Sequence, residues 1–70
     1  MKMYIEVIND NNEIFRGEAD EFLELNDYDV ELESCLSNLN DRIIGATTRF
    51  INENGVEFFI RRIRNEELLY

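Results

Sequence analysis

Phe50-Ile51-Asn52-Glu53-Asn54-Gly55-Val56-Glu57-Phe58 places a turn signal between two β-rich runs. Asn and Gly accept the positive φ that hairpin turns demand, and Asn-Gly is the dipeptide such turns favour most. Upstream, residues 42–51 are rich in β-branched Ile and Thr; downstream, residues 56–64 supply the return strand. Setting Phe50 opposite Phe58 and Thr48 opposite Ile60 makes one coherent apolar face near the turn. The stretch therefore predicts a hairpin of strands over 42–51 and 56–64.

A second hairpin is legible at the N-terminus. Met3, Ile5 and Val7 alternate with Lys2, Tyr4 and Glu6, the two-residue period of a strand over 2–8. Asn9-Asp10-Asn11-Asn12 is a dense turn signal, because Asn and Asp tolerate left-handed backbone and bond their own main chain. A return strand follows at about 14–18. Pairing Ile8 with Ile14 sets Glu6 across from Arg16 and Val7 across from Phe15, gathering Met3, Ile5, Val7 and Phe15 on one face. A one-residue slip scatters that set.

The segment between the hairpins reads as helical. Asp20 is placed to cap a first helix carrying Phe22, Leu23 and Leu25. Asn26 or Asp27 is placed to cap a second, with Leu32, Cys35, Leu36 and Leu39 at helical spacing. Asp29 interrupts the combined apolar stripe, so one helix and two are both open. A short strand competes around Val30 and Leu32, which alternate with Asp29, Glu31 and Glu33. The tail over 65–70 either extends the sheet or turns helical. The order ββαββ implies an α+β fold, a four-stranded antiparallel sheet packed against one helical layer.

Seventy residues without proline or a Gly/Ser-rich linker are expected to form a single domain over 1–70. A hydrophobic content of 44% is too high for disorder. The lone Cys35 excludes an intrachain disulfide, which points to a reducing cytoplasmic compartment. No stretch has the length of a signal-peptide core or a membrane span. A formal charge of −9 repels phosphates and anionic lipid, so neither direct nucleic-acid binding nor membrane binding is expected.

Enzymatic chemistry finds little support. The chain has no His, and Cys35 has no His partner to act as its base. Catalysis and cofactors are therefore not expected, and Cys35 reads as a small core residue. Asp10 and Asn12 begin a calcium-loop spacing, but Ile14 stands where a ligand belongs, so no metal site is assigned. Arg61, Arg62 and Arg64 beside Phe58 and Phe59 resemble the surface of RNA-binding sheets. The preferred account is that these guanidiniums bond carboxylates of the acidic segment across the fold.

That segment is the sharpest feature of the chain. Residues 17–41 hold nine acidic residues and no base, a sum of −9, so the whole net charge lies in the middle third. Glu18, Asp20, Glu21, Glu24, Asp27, Asp29, Glu31 and Glu33 are the candidate partner-binding residues. On a continuous helix Asp20, Glu24, Asp27 and Glu31 share one face, with neighbouring carboxylates about 5–6 Å apart, comparable to successive phosphates. Such a face serves solubility alone, or it is aimed at the basic surface of a nucleic-acid-binding protein complex.

In size, acidity (pI ≈ 4.2), α+β layout and lack of catalytic residues, the chain resembles small acidic inhibitors encoded by phages and mobile elements, anti-CRISPR proteins especially. The resemblance is one of profile and carries no individual residue across. It implies a DNA mimic that blocks a nucleic-acid-handling complex in the host bacterial cytoplasm, as monomer or homodimer. The alternative is a regulatory or structural interaction module, homodimeric through an exposed sheet edge.

Overall fold

The computed structural model describes residues 2–69. Its elements run β1 (Tyr4–Asn9), β2 (Asn12–Glu18), α1 (Ala19–Leu25), α2 (Val30–Asn40), β3 (Thr47–Ile51) and β4 (Glu57–Ile63). A 3-10 helix over Asn65–Leu69 follows. The strands form one antiparallel sheet in the order β2-β1-β4-β3, with the two helices as a single layer against it. The ββαββ order and the α+β class are those expected from the sequence.

The first hairpin closes through Asp10 and Asn11, both at positive φ (52° and 67°), between the paired Asn9 and Asn12. Glu6 faces Arg16 and Val7 faces Phe15, as the apolar pattern requires. Ile8, however, faces Glu13 rather than Ile14, because a bulge lies between Val7 and Ile8. The tight turn fixes the register from one end, and packing of half-buried Phe15 against the core beside Val7 fixes it from the other. The two differ by one residue, and a bulge absorbs the difference.

The second hairpin has the expected register, Phe50 with Phe58 and Thr48 with Ile60. Its turn is built differently from a two-residue Asn-Gly turn. Gly55 alone takes positive φ (79°), and its N–H donates to the Asn52 carbonyl at 3.0 Å. The Asn52 side chain then accepts from the N–H groups of Asn54 and Val56, both at 2.9 Å. β3 is also shorter than the expected 42–51. Residues 42–46 form a turn in which Gly45 adopts a φ of 95° and donates to the Arg62 carbonyl at 2.8 Å. The Arg62 guanidinium donates to the carbonyls of Asn40 and Arg42, tying the C-terminal end of α2 to the sheet.

The middle third is two helices, which settles the choice left open by the apolar stripe. Asp27 and Tyr28 both take positive φ (55° and 56°), and the Tyr28 N–H bonds back to the Leu23 carbonyl at 2.9 Å. α2 then starts at a cap supplied by Asp29, rather than Asn26 or Asp27: its Oδ1 accepts from the N–H groups of Glu31 (2.9 Å) and Leu32 (3.1 Å). Asp20 lies inside the first turn of α1, after Glu18 at the cap position. The competing strand at Val30–Glu33 is excluded by the same geometry, and the tail is helical up to Leu69.

Ile5, Val7, Phe50, Phe58 and Ile60 from the sheet meet Phe22, Leu23, Leu32, Leu36 and Leu39 from the helices in one core. Phe22 stands edge-on to Phe58 at 6.2 Å, and Phe58 stacks on Phe50 at 6.1 Å. Each such side chain contributes about 1.5–3 kcal/mol by leaving water. Leu25, expected on the core face, is instead 71% exposed, since Ala19, Phe22 and Leu23 define the buried face of α1 and helical phase carries Leu25 off to its side. No helix among the described residues is long and apolar enough to cross a membrane.

Candidate functional site

The eight candidate carboxylates fall into three groups. Glu18 closes β2 opposite Tyr4, half-buried on the outer face of the sheet, away from the helices. Asp20, Glu21 and Glu24 are exposed on α1. Asp27 is exposed in the elbow, Asp29 is the half-buried cap of α2, and Glu31 and Glu33 are exposed in its first turn. The continuous ladder of Asp20, Glu24, Asp27 and Glu31 does not exist, because the left-handed pair Asp27-Tyr28 breaks the helix between them. What remains is a bent acidic layer in which Asp20, Glu21, Glu31 and Glu33 occupy first helical turns, where the helix dipole favours negative charge.

Among the described residues, the ion pairs of the arginines lie on the other side of the molecule. Glu6, with its side chain 13% exposed on the outer face of the sheet, accepts from Arg16 at 2.6 Å and from Arg61 at 3.1 Å. Arg16 also pairs with Glu13 at 2.6 Å and donates to the Glu67 carbonyl at 2.6 Å, while Arg61 reaches the Glu67 carboxylate at 3.3 Å. Arg49 pairs with Glu57 at 3.2 Å. These four carboxylate partners lie outside residues 17–41. Among the described residues the arginines therefore pair within the outer face rather than, as expected from the sequence, with the acidic segment. The alternation of strand side chains explains it: Glu6, Arg16 and Arg61 are direct neighbours across three strands, facing away from the helices.

The network leaves its mark on titration. The Arg16 guanidinium beside Glu13 holds that carboxyl below the usual carboxylate range. The Arg64 backbone N–H, aided by Arg61, does the same for Glu67. Burial pushes the Cys35 thiol up, and the charges of Glu31 and Asp29 add to the effect. Its Sγ lies 3.8 Å from the Arg49 carbonyl, a weak contact within the half-buried margin of the core.

No family model matches the chain, and no curated protein or solved structure is significantly similar to it. No group of three His, Cys, Asp or Glu side chains among the described residues is arranged to hold a metal ion. Within the acidic layer, Leu25 (71%), Tyr28 (62%) and Val30 (79%) stand exposed among the carboxylates. Apolar spacing alone does not separate Leu25 from Phe22 and Leu23; the buried face of α1, set by Ala19, Phe22 and Leu23, leaves it outside. A shallow cleft of about 470 Å³ joins this end of α2 to the second hairpin, lined by Asp29, Val30, Glu31, Ile51, Asn52 and Glu53.

Proposed function

We propose that the protein is a non-catalytic inhibitor that binds the basic surface of a bacterial nucleic-acid-handling complex through its acidic helical layer. The observation that carries this reading is the separation of charge. Three arginines are engaged with glutamates on the outer face of the sheet, while Glu21, Glu24, Asp27, Glu31 and Glu33 of the helical layer stand exposed to solvent. Repulsion among them is a standing cost that a basic partner would relieve. Exposed Leu25, Tyr28 and Val30 add apolar contact of the kind that anchors interfaces.

An anti-CRISPR protein acting in the host cytoplasm is the specific form of this proposal, with the carboxylates standing where phosphates would lie on the effector. The absence of His and the raised thiol of Cys35 support a binding role over a catalytic one. Edge-strand dimerisation is the less favoured form, because β2 is kinked by its bulge and β3 has five residues. The test is capture of partners from bacterial lysate, followed by competition with duplex DNA. Displacement of the protein by DNA supports the reading; a captured complex that binds DNA and the protein together refutes it.

A further inference from the structure

The sheet has two faces, and only one is fully used. Helices cover the inner face, and the 3-10 helix Asn65–Leu69 is held over one end of the outer face by its bonds from Glu67 to Arg16, Arg61 and Arg64. Ile63, on that face, is accordingly 1% exposed. The other end is open. Phe59 is 48% exposed and Ile51 44%, Ile8 is half-buried, and the extra residue of the bulge, Ile14, is 49% exposed.

The strand registers give this open end an ordered row. Glu13 faces Ile8, Ile8 faces Phe59, and Phe59 faces Arg49, so one line across all four strands reads acid, apolar, apolar, base. Directly paired residues project from the same face of a sheet. A two-fold axis parallel to the strands, passing between β1 and β4, lays such a row against a second copy of itself in reverse. Ile8 then meets Phe59 of the second copy. Glu13, with its in-chain partner Arg16, meets Arg49 of the second copy, with its in-chain partner Glu57, twice over, so that each end extends an existing ion pair into a four-membered one. A row with the same charge at both ends would not be self-complementary in this way.

We propose that the open outer face is a homodimer interface, its occupant a second copy of this chain. The charge distribution favours this face over any other. The guanidiniums and carboxylates of the outer face nearly balance, three against four in its ion pairs. Stacking two copies here turns both acidic helical layers outward, each separated from the other by both sheets, which packed sheets hold about 10 Å apart. The strip spans three strand spacings from Glu13 to Arg49, roughly 14 Å, which is small for an interface. The dimer is accordingly weak, forming at high micromolar to millimolar protein. It displays two acidic layers on opposite sides and so offers two copies of the binding surface to a partner.

Sedimentation equilibrium from micromolar to millimolar protein, at physiological ionic strength, tests this. A concentration-dependent monomer–dimer equilibrium is expected, weakened about tenfold or more by Phe59→Ser. Glu13→Arg and Arg49→Glu should each weaken it by about tenfold, and the double variant should return toward wild type, because the intermolecular pair is restored with its charges exchanged. Circular dichroism confirms folding of each variant. Each charge exchange also breaks an in-chain pair, Glu13 with Arg16 or Arg49 with Glu57, which the double variant does not restore. Recovery in the double variant therefore reports the intermolecular pair and decides the matter whether or not Phe59→Ser folds. A protein that stays monomeric to millimolar concentration overturns the proposal. So does a dimer indifferent to Phe59→Ser, or a double variant no better than the two single ones.

Discussion

Removing the Asp29 carboxylate separates the two-helix structure from a single continuous helix, because the two arrangements predict opposite signs. In the structure Oδ1 of Asp29 accepts from the N–H groups of Glu31 and Leu32 at 2.9 and 3.1 Å. Loss of such a cap costs about 1 kcal/mol, within a range of about 0.5–2. Relief of repulsion from Asp27, Glu31 and Glu33 returns a few tenths of a kcal/mol. Asp29→Ala should therefore destabilise the protein by somewhat under about 1 kcal/mol, a fall in melting temperature of roughly 4–7 °C for a domain of this size. Asp29→Asn keeps an acceptor at the same position and should stay within a few tenths of a kcal/mol of wild type. Urea and thermal unfolding followed by circular dichroism read both. In a continuous helix position 29 would be interior, where Ala is the better residue by about half a kcal/mol. An Asp29→Ala protein as stable as wild type, or more stable, would refute the helix break and the bent shape of the acidic layer.

Leu36 is fully buried between the helices and the sheet, and Leu36→Ala should cost about 2–5 kcal/mol, enough to leave a domain this small largely unfolded by circular dichroism. Gly55 has open space around its Cα but a φ of 79°, so Gly55→Val should cost about 1–2 kcal/mol in chemical unfolding through backbone strain alone, and Gly55→Asn less. Glu13 and Glu67 both titrate below the usual carboxylate range, so their contribution is fully present above the unfolded-state value and is lost as pH falls through the lower folded-state value. Glu67→Gln should thus be less stable than wild type near neutral pH and converge with it in acid; a constant gap across pH would contradict the Glu67 contacts.

The hairpins were legible because their signals are local. Phe50 and Phe58 had to share a face, and the turn between them fixed the count of residues. The bulge beside Ile8 was not legible, since it resolves a conflict between a turn and the packing of half-buried Phe15 against the core that each looked satisfied alone. The start of β3 lies later than residue 42, because Ile43 and Ile44, despite their strand propensity, sit in an exposed turn at Gly45. Propensity yields there to the bonds linking residues 45 and 46 to Arg62. For the candidate site, the location of the charge was plain in the chain, but its shape was not. Asp29 was recognised as an interruption, yet only its position two residues before Glu31 and three before Leu32 makes it a cap. The arginine pairing depended on strand alternation, which places Glu6, Arg16 and Arg61 on the face opposite the helices.

The central claim, that the exposed carboxylates of the helical layer make the contact, is tested most directly by moving the same amount of charge in two places. Glu21, Glu24, Asp27 and Glu31, all exposed on the layer, are changed together to Gln or Asn; Asp10, Glu53, Glu57 and Glu66 are changed in a matched control. Both proteins then carry a formal charge of about −5. Affinity for the partner recovered from lysate is measured at low and at physiological salt, where screening limits exposed charge to a reach of about 8–10 Å. The account predicts that the layer variant loses about a hundredfold or more in affinity while gaining slightly in stability, that the control stays within a few fold of wild type, and that wild-type binding weakens as salt rises. Equal losses in the two variants, or wild-type binding that ignores salt, would contradict it.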